Sequence, residues 1–399
     1  MLRPQSMDMS SYTAQTEKTP PITTPGHLLA NIPGLLGFYP TESVVFMAID
    51  TTPRGPAMGP VARVDIEDAE ETLPDIAAML ADEAREGIFA FLVSQRPVSD
   101  LSEIACWLYS LDRGRDGIDI DAAWYVAEIA RDEPYTLLHG AVSIDGRGPM
   151  KNWVEGTIPA LTDSPTMRSC VDHDVVPELS REDFYATFAR NNQQCDALEA
   201  EALGREARET ATRFRACVTA EKGDKRKELV DNFINDVRWV LSQVATIEEA
   251  ETNTELLTAC AVWMSTTWTR DLVIASCTEA GEQAANLLLA TARTFAGEIR
   301  ANALTLFALT QMKMEWDILA GPALHTVAGE FPSHRLGSLL CKAYRYGLHD
   351  KVRNTVGRGA REAYNSAIGR QEEAVTASVV SSSTGPNGAP SEPARRVAG

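Results

Sequence analysis

The sequence predicts an α/β N-terminal domain with a mixed or mostly parallel sheet, followed by an all-α helical C-terminal domain. Three observations predict it. Between residues 43 and 142, β-branched apolar runs alternate with amphipathic stretches, the strand–helix order of an α/β layer. From residue 181 onward the strand signal stops, and apolar residues recur three or four apart, the period of a helix face. The stretch 143–180 shows neither pattern. The division that follows is a polar, disordered tail at 1–22, an α/β domain at 23–142, a linker or covering loop at 143–180, a helical domain at 181–371 and a disordered Ser/Gly/Pro-rich tail at 372–399.

The first folded element is a short helix in "TTPGHLLANIPGLLGF". Pro25 suits its first turn, where no N–H is needed, and Pro33 is expected to close it. Gly34 and Gly37 then form a stiff turn ahead of "SVVFMAI" (43–49), a central strand covered on both faces. "RGPAMG" (54–59) is full of breakers and predicts a loop. "PVARVDI" (60–66) is the next strand, and its alternation sets Arg63 and Asp65 on one face with most apolar groups on the other. The two strands are near enough in sequence to form a hairpin. An acidic helix is predicted over 69–87, with Leu73, Ile76, Ala77 and Leu80 as its stripe and Gly87 as its stop. A strand at 88–95, a helix at 99–113 capped by Ser99 or Asp100, and strands at 118–129 and 135–142 complete the first half. Crossovers through helices make the sheet at least partly parallel.

In the second half, "TELLTACAVWMSTTWTRDLVIASC" (254–277) is the most apolar text, with Trp263, Met264, Thr267 and Trp268 facing a core. Residues 299–347 predict helix, turn, helix, proline, helix, with Ala308 and Ala320 allowing close approach and Phe307 and Leu324 filling the gap. This is similar in part to one tetratricopeptide-like hairpin. No convincing second copy follows, and a stable solenoid needs about three; an ordinary helical bundle is the expectation.

Composition limits function. There are 37 Lys and Arg against 56 Asp and Glu, a formal charge of -19. A field of that sign opposes a phosphate backbone, so nucleic acid is a disfavoured partner. The densest basic run, "EKGDKRKELV" (221–230), carries its own acids and reads as a solvated helix start. The seven cysteines are dispersed and include no C-x-x-C pair, which fits a reducing cytoplasm better than a disulfide framework. No apolar h-region opens the chain, and no apolar run approaches the ~18 residues of a membrane span. Neither a cofactor nor a metal is expected.

"LLANIPGLLGFYPTESVVFMAI" (28–49), "ARVDI" (62–66), "WTRDL" (268–272) and "ANALTLFAL…FPSHRLGSLLCKAYRYGL" (301–348), in that order, resemble a family of uncharacterised actinobacterial proteins, a domain-of-unknown-function family with a PxLLGFxPxxSVV-type motif. The resemblance implies an intracellular protein and brings no activity, cofactor or catalytic residue. Relatives in that family carry clustered cysteines before the Gly-rich part of the linker. Here "MKNWVEGTIP" (150–159) has none, and "MKMEWD" (312–317) replaces the usual Gly-Asp turn.

Candidate ligand-contacting residues are Arg63, Asp65, Asp50, Arg270 and Asp271. Ligands of open α/β sheets sit beyond the carboxyl ends of strands. Asp50, Asp65 and Ser94 with Gln95 occupy such positions, whereas Tyr39, Thr41, Glu42 and Ser43 lie at the opposite, N-terminal edge of their strand. Arg63 with Asp65 reads as a salt bridge, or as an anion holder beside a carboxylate. Arg270 and Asp271 interrupt an apolar helix and read as an ion pair joining the two regions, or as a site between them. "CVDHD" (170–174) offers metal-type ligands without a partner motif. His139, His325, His334 and His349 are isolated and read as structural. No nucleotide-binding loop, nucleophile elbow or zinc-hydrolase motif occurs. The expected function is a non-enzymatic protein-binding or scaffold protein with an unidentified protein partner. The alternative is a hydrolase or transferase with an unrecognised acid–base site at the carboxyl ends of the N-terminal sheet; a small molecule is a second candidate partner.

Overall fold

The β-branched and aromatic residues of "SVVFMAID" favour extended backbone, and they form an interior strand of a mixed sheet. The structure is a computed structural model that describes residues 5–7, 24–52, 55–80, 85–111, 113–140, 151–173, 175–191 and 195–370. Its strands are β1 (Gln5–Met7), β2 (Ser43–Thr52), β3 (Gly55–Asp65), β4 (Arg85–Val93), β5 (Ala122–Val126), β6 (Pro134–Gly140) and β7 (Glu155–Thr157). They lie in the order β1-β3-β2-β4-β5-β6-β7. Among the described strands only the β4–β5 pair is parallel; the others are antiparallel. Of the two sheets the sequence allows, the mixed one forms.

Alternation along the strands loads both faces. Val45, Met47, Val61, Phe91 and Trp124 point to one side, under the Pro25–Leu36 and Pro165–Asp172 helices. Val44, Phe46, Ala62, Ala90 and Leu92 point to the other, under the Ala69–Leu80 and Ser102–Ser110 helices. Phe46 is fully buried, as a covered central strand requires.

Several local expectations give way to tertiary contacts. The Pro25–Leu36 helix does not stop at Pro33: it runs on to Leu36 and ends at Gly37, whose φ of 79° is left-handed and whose N–H bonds to Pro33 O. One lost donor is outweighed by burial of every residue in the helix except His27. Cover comes from distant chain at backbone range. A Cβ on Gly26 would lie 2.7 Å from Thr157 O, and one on Gly34 would lie 2.6 Å from Thr166 Oγ1. On Gly37 it would run into the Phe184 ring. Asn31 adds bonds to Thr166 through its side chain and carbonyl.

The expected loop at 54–59 is mostly strand, since β3 already begins at Gly55 and pairs with β2 through a bulge near Ala48. Among the described strands β1 pairs only with Val61–Arg63, so Pro56 and Pro60 sit on an edge where no N–H is required. Gly87 is a strand residue rather than a helix stop: Asp121 comes within 2.9 Å of where its Cβ would be and accepts the Ile88 N–H at 2.8 Å. Ser99 and Asp100 do not cap the next helix; they lie in the 3-10 turn Val98–Leu101 that follows Pro97. The covering segment is not featureless, for it supplies β7 and the Pro165–Asp172 helix. Gln5–Met7 is paired within the stretch read as a tail. The rest of 1–22, residues 141–150 and the 372–399 tail lie outside the described residues.

From Arg181 onward the described residues are helical, from Arg181–Ala186 to His349–Ala367. Their core centres on the Gly297–Lys313 helix, where Leu304, Phe307 and Ala308 meet Ala320 and Leu324 of Ala320–Glu330. The apolar text at 254–277 is two helices, because Thr266 caps a new start; Thr269 is buried there and Thr267 is exposed. Trp316 and Ile318 leave the helical part to pack on the sheet core. Among the described residues no helix is long and apolar enough to cross a membrane.

The turn before Trp316 carries strain. Glu315 has φ of 62°, at the place where the resembled family has its Gly-Asp turn. A side chain in that region costs about 1–2 kcal/mol, partly offset by the chain entropy glycine adds to the unfolded state. Glu315→Gly is expected to stabilise the protein by roughly 0.5–1 kcal/mol, read as a higher urea midpoint at unchanged slope.

Candidate functional site

Pairing register decides which candidates meet. Ser43 lies opposite Asp65 on one side and Val93 on the other, and Val93 lies beside Val126. The N-terminal end of β2 therefore shares one end of the sheet with the carboxyl ends of β3, β4 and β5. Tyr39–Ser43, placed by sequence at the opposite edge from Asp65 and Ser94, is beside them. Asp50 pairs with Ala57 and Arg85 and lies at the far end. The parallel-sheet rule failed because β2 has two antiparallel neighbours.

Glu42 organises the surface of this end. Its φ is 44°, and its carboxylate accepts from Ser94 Oγ at 2.9 Å, Gln95 N at 3.2 Å and Arg96 Nε at 2.8 Å. Beneath it, Arg63 is on a covered face, not a polar one, and is 5% exposed. Its Nη2 donates to Asp65 Oδ1 at 2.7 Å and to Thr41 O at 3.2 Å, and its guanidinium lies 6.0 Å from the Phe38 ring centre. Burial lowers the Arg63 pKa, against the raising effect of Asp65. Arg181, 8% exposed, reaches Asp65 Oδ2 at 3.4 Å and lies over the Tyr185 ring. Burial pushes the Tyr185 hydroxyl up to about 12, with Arg181 pulling the other way. Asp65 thus sits between two guanidiniums, one from the sheet and one from the first helix of the helical part.

Arg270 and Asp271 do not join the two regions. Arg270 is 7% exposed and bonds Asp271 Oδ1 through Nε at 2.9 Å and Nη2 at 2.6 Å. Its Nη1 donates to Asn302 Oδ1 at 2.8 Å, and Asn302 Nδ2 donates to Met264 O. His334 Nε2 shares Asn302 Oδ1 at 2.9 Å, while His334 Nδ1 accepts the Gly337 N–H at 3.1 Å. An amide oxygen only accepts, so Nε2 carries the proton and the ring is neutral. The pair belongs to a network inside the helical bundle, tying the ends of four helices.

The family model of a domain of unknown function, DUF4192, matches residues 25–351. The chain belongs to the DUF4192 family. No curated protein and no solved structure matches it. The DUF4192 span holds all four sequence features described above, and Arg270, Asn302 and His334 draw three stretches of them into one hydrogen-bonded knot.

Other polar groups of this DUF4192 chain escaped the sequence reading. Arg300 is 2% exposed; its Nε and Nη2 grip Glu330 at 2.7 and 2.6 Å, while Nη1 and Nη2 also donate to Ala292 O and Phe188 O. Its signal was present, as a lone charge in the apolar run "IRANALTLFAL". Asp317 is buried against His349 at 3.0 Å and Arg353 at 3.7 Å. In "CVDHD", Cys170 is buried against Gly34 O and His173 stacks on Trp316 at 4.1 Å, and Asp174 lies outside the described residues. Among the described residues no cluster could hold a metal ion. His139 departs from the satisfied structural role: its Nε2 is buried without a hydrogen bond.

A cleft of about 690 Å³ opens between the Gly223–Ser242, Thr267–Ala280 and His349–Ala367 helices. Ile234, Leu272, Ala275 and Ala360 give it an apolar lining, and Asp231, Arg238, Glu279 and Arg361 give it charge. Trp239, 65% exposed, is four residues beyond Asn235 of the lining and so on its helical face.

The histidine knot makes stability pH-dependent. Burial, then the charge of Arg270, lowers His334 below its ordinary value of 6.5. As pH falls through that value the unfolded chain takes up the proton first, so stability present above it is lost on the way to the lower folded value. His139 and His325, also lowered by burial, act in the same direction. His334→Asn keeps a cap acceptor and removes one titration. Its urea midpoint is expected to fall less steeply than wild type between about pH 6.5 and about pH 5.

Proposed function

We propose that this DUF4192 protein is a non-enzymatic, cytoplasmic binding protein whose helical cleft receives an amphipathic helix of a protein partner. The cleft carries the reading. Its walls run from Asp231 to Arg238 and from Gly357 to Tyr364, two helical turns or roughly 10 Å each. Apolar groups on the floor and opposite charges on the rim suit the helix-in-groove mode. An exposed tryptophan at the edge is the residue type that anchors such contacts. The seven free cysteines suit a reducing compartment.

What weighs against an acid–base hydrolase or transferase is the state of its candidates. Both Asp65 oxygens face guanidiniums, Asp50 is at the other end of the sheet, and Asp271 is held by Arg270. None of the three is turned toward another in an acid–base pair.

Gly357 lines the cleft, and a Cβ there meets nothing within 4 Å. Gly357→Arg therefore starts a long side chain at the cleft wall with room for its Cβ. Native mass spectrometry of protein purified from its own host is expected to show a retained protein partner on wild type and its loss from Gly357→Arg. Trp239→Ala should weaken the same complex by about tenfold or more. Equal retention by wild type and both variants would falsify the cleft as the docking surface.

A further inference from the structure

The Arg63–Arg181 cluster is electrically incomplete, and the other buried arginines of the molecule show by how much. At Arg270 and Arg300 the guanidinium edge formed by Nε and Nη2 is closed by a carboxylate on both nitrogens. Arg63 is buried to a similar degree, yet on that edge only Nη2 is bonded; Nε is buried without a partner. Arg181 makes one long contact, 3.4 Å, to the same Asp65. The Tyr185 hydroxyl is buried beside the Arg181 guanidinium, which can only donate, so its own proton has no acceptor. Two guanidiniums thus share one carboxylate, and Glu182, exposed, adds only a weaker field. Buried charges that share one counter-charge are incompletely compensated, and unmade hydrogen bonds add to the cost.

We propose that Arg63, Arg181 and Tyr185 form a binding site for an oxyanion group, a phosphate or a carboxylate, carried by a small molecule. An oxyanion seated there receives the free Arg63 Nε–H, an N–H of Arg181 and the Tyr185 O–H. Guanidinium N–H groups suit phosphate and carboxylate, and a phenolic O–H adds a neutral donor. Asp65, 39% exposed, and the exposed Thr41 mark the side open to solvent. Asp65 has a second role as a resident competitor: it holds the guanidiniums apart and in place while limiting affinity for the incoming anion. The site lies at the sheet end, uses none of the cleft residues and does not depend on the cleft reading.

The test is thermal unfolding of the full chain, titrated with inorganic phosphate and separately with acetate at an ionic strength held constant with chloride. A saturable rise in Tm is expected with one of the two, and the responding anion names the group. Arg181→Gln and Tyr185→Phe are expected to weaken the response by about tenfold and several-fold. Asp65→Asn, which removes the competing charge, is expected to strengthen it. Circular dichroism identifies any variant that fails to fold, and Tyr185→Phe keeps the ring and its packing. Absence of a saturable response to both anions in wild type and in Asp65→Asn overturns the proposal. So does a response left unchanged in folded Arg181→Gln and Tyr185→Phe.

Discussion

Antiparallel pairing of Ser43 with Asp65 and of Ser43 with Val93 is the constraint from which the rest follows. It sends the chain entering β2 to the same end as the chain leaving β3 and β4. Phe38, Thr41 and Glu42 then stand beside Asp65 and Ser94 although more than twenty residues separate some of them. Phe38 also bridges to Glu178, which brings Arg181 to the same end. One register thereby positions a sheet arginine, a helix arginine and the carboxylate between them.

The molecule handles its buried guanidiniums in two ways. Arg300 and Arg270 are saturated at every nitrogen: each gives Nε and Nη2 to a carboxylate and Nη1 to a carbonyl or amide oxygen of a neighbouring helix. Such saturated charges add little net stability, but removing one partner leaves the other stranded at a cost of about 3–5 kcal/mol. They act as register pins for helices whose apolar surfaces would otherwise slide. The sheet-end pair is different because its donors outnumber its acceptors. The contrast lies in the chain itself, with the same side-chain type, similar burial and unequal satisfaction.

Much of the fold was legible in local pattern. The run "SVVFMAI" has no helical period and too few polar groups for an exposed strand, and it is an interior strand. The helical second half was legible for the same reason, since its apolar residues recur at helical spacing without strand-like runs. The failures share a cause. Pro33 inside its helix, Gly87 inside β4 and Gly55–Gly59 inside β3 are breakers that tertiary contacts override. The candidate site was half legible. Alternation put Arg63 and Asp65 on one face, but a period of two does not say whether that face is covered. Arg181 and Tyr185 gave no signal, because a cap serine and a short amphipathic turn look like any helix start. The knot of Arg270, Asn302 and His334 was invisible for a further reason: its members are up to 64 residues apart.

The glycine-bearing helix that precedes β2 has a consequence for biosynthesis. Asn31 is joined to its cover at Thr166 across 135 residues. At a synthesis rate of about 5–20 residues per second, that span takes on the order of ten seconds to emerge. During that interval the helix can rest on strands already made, but its Asn31 and Gly34 side lacks the strip that covers it. A holding chaperone at the ribosome exit would have this segment to cover, and release would be timed by arrival of the strip that closes over it.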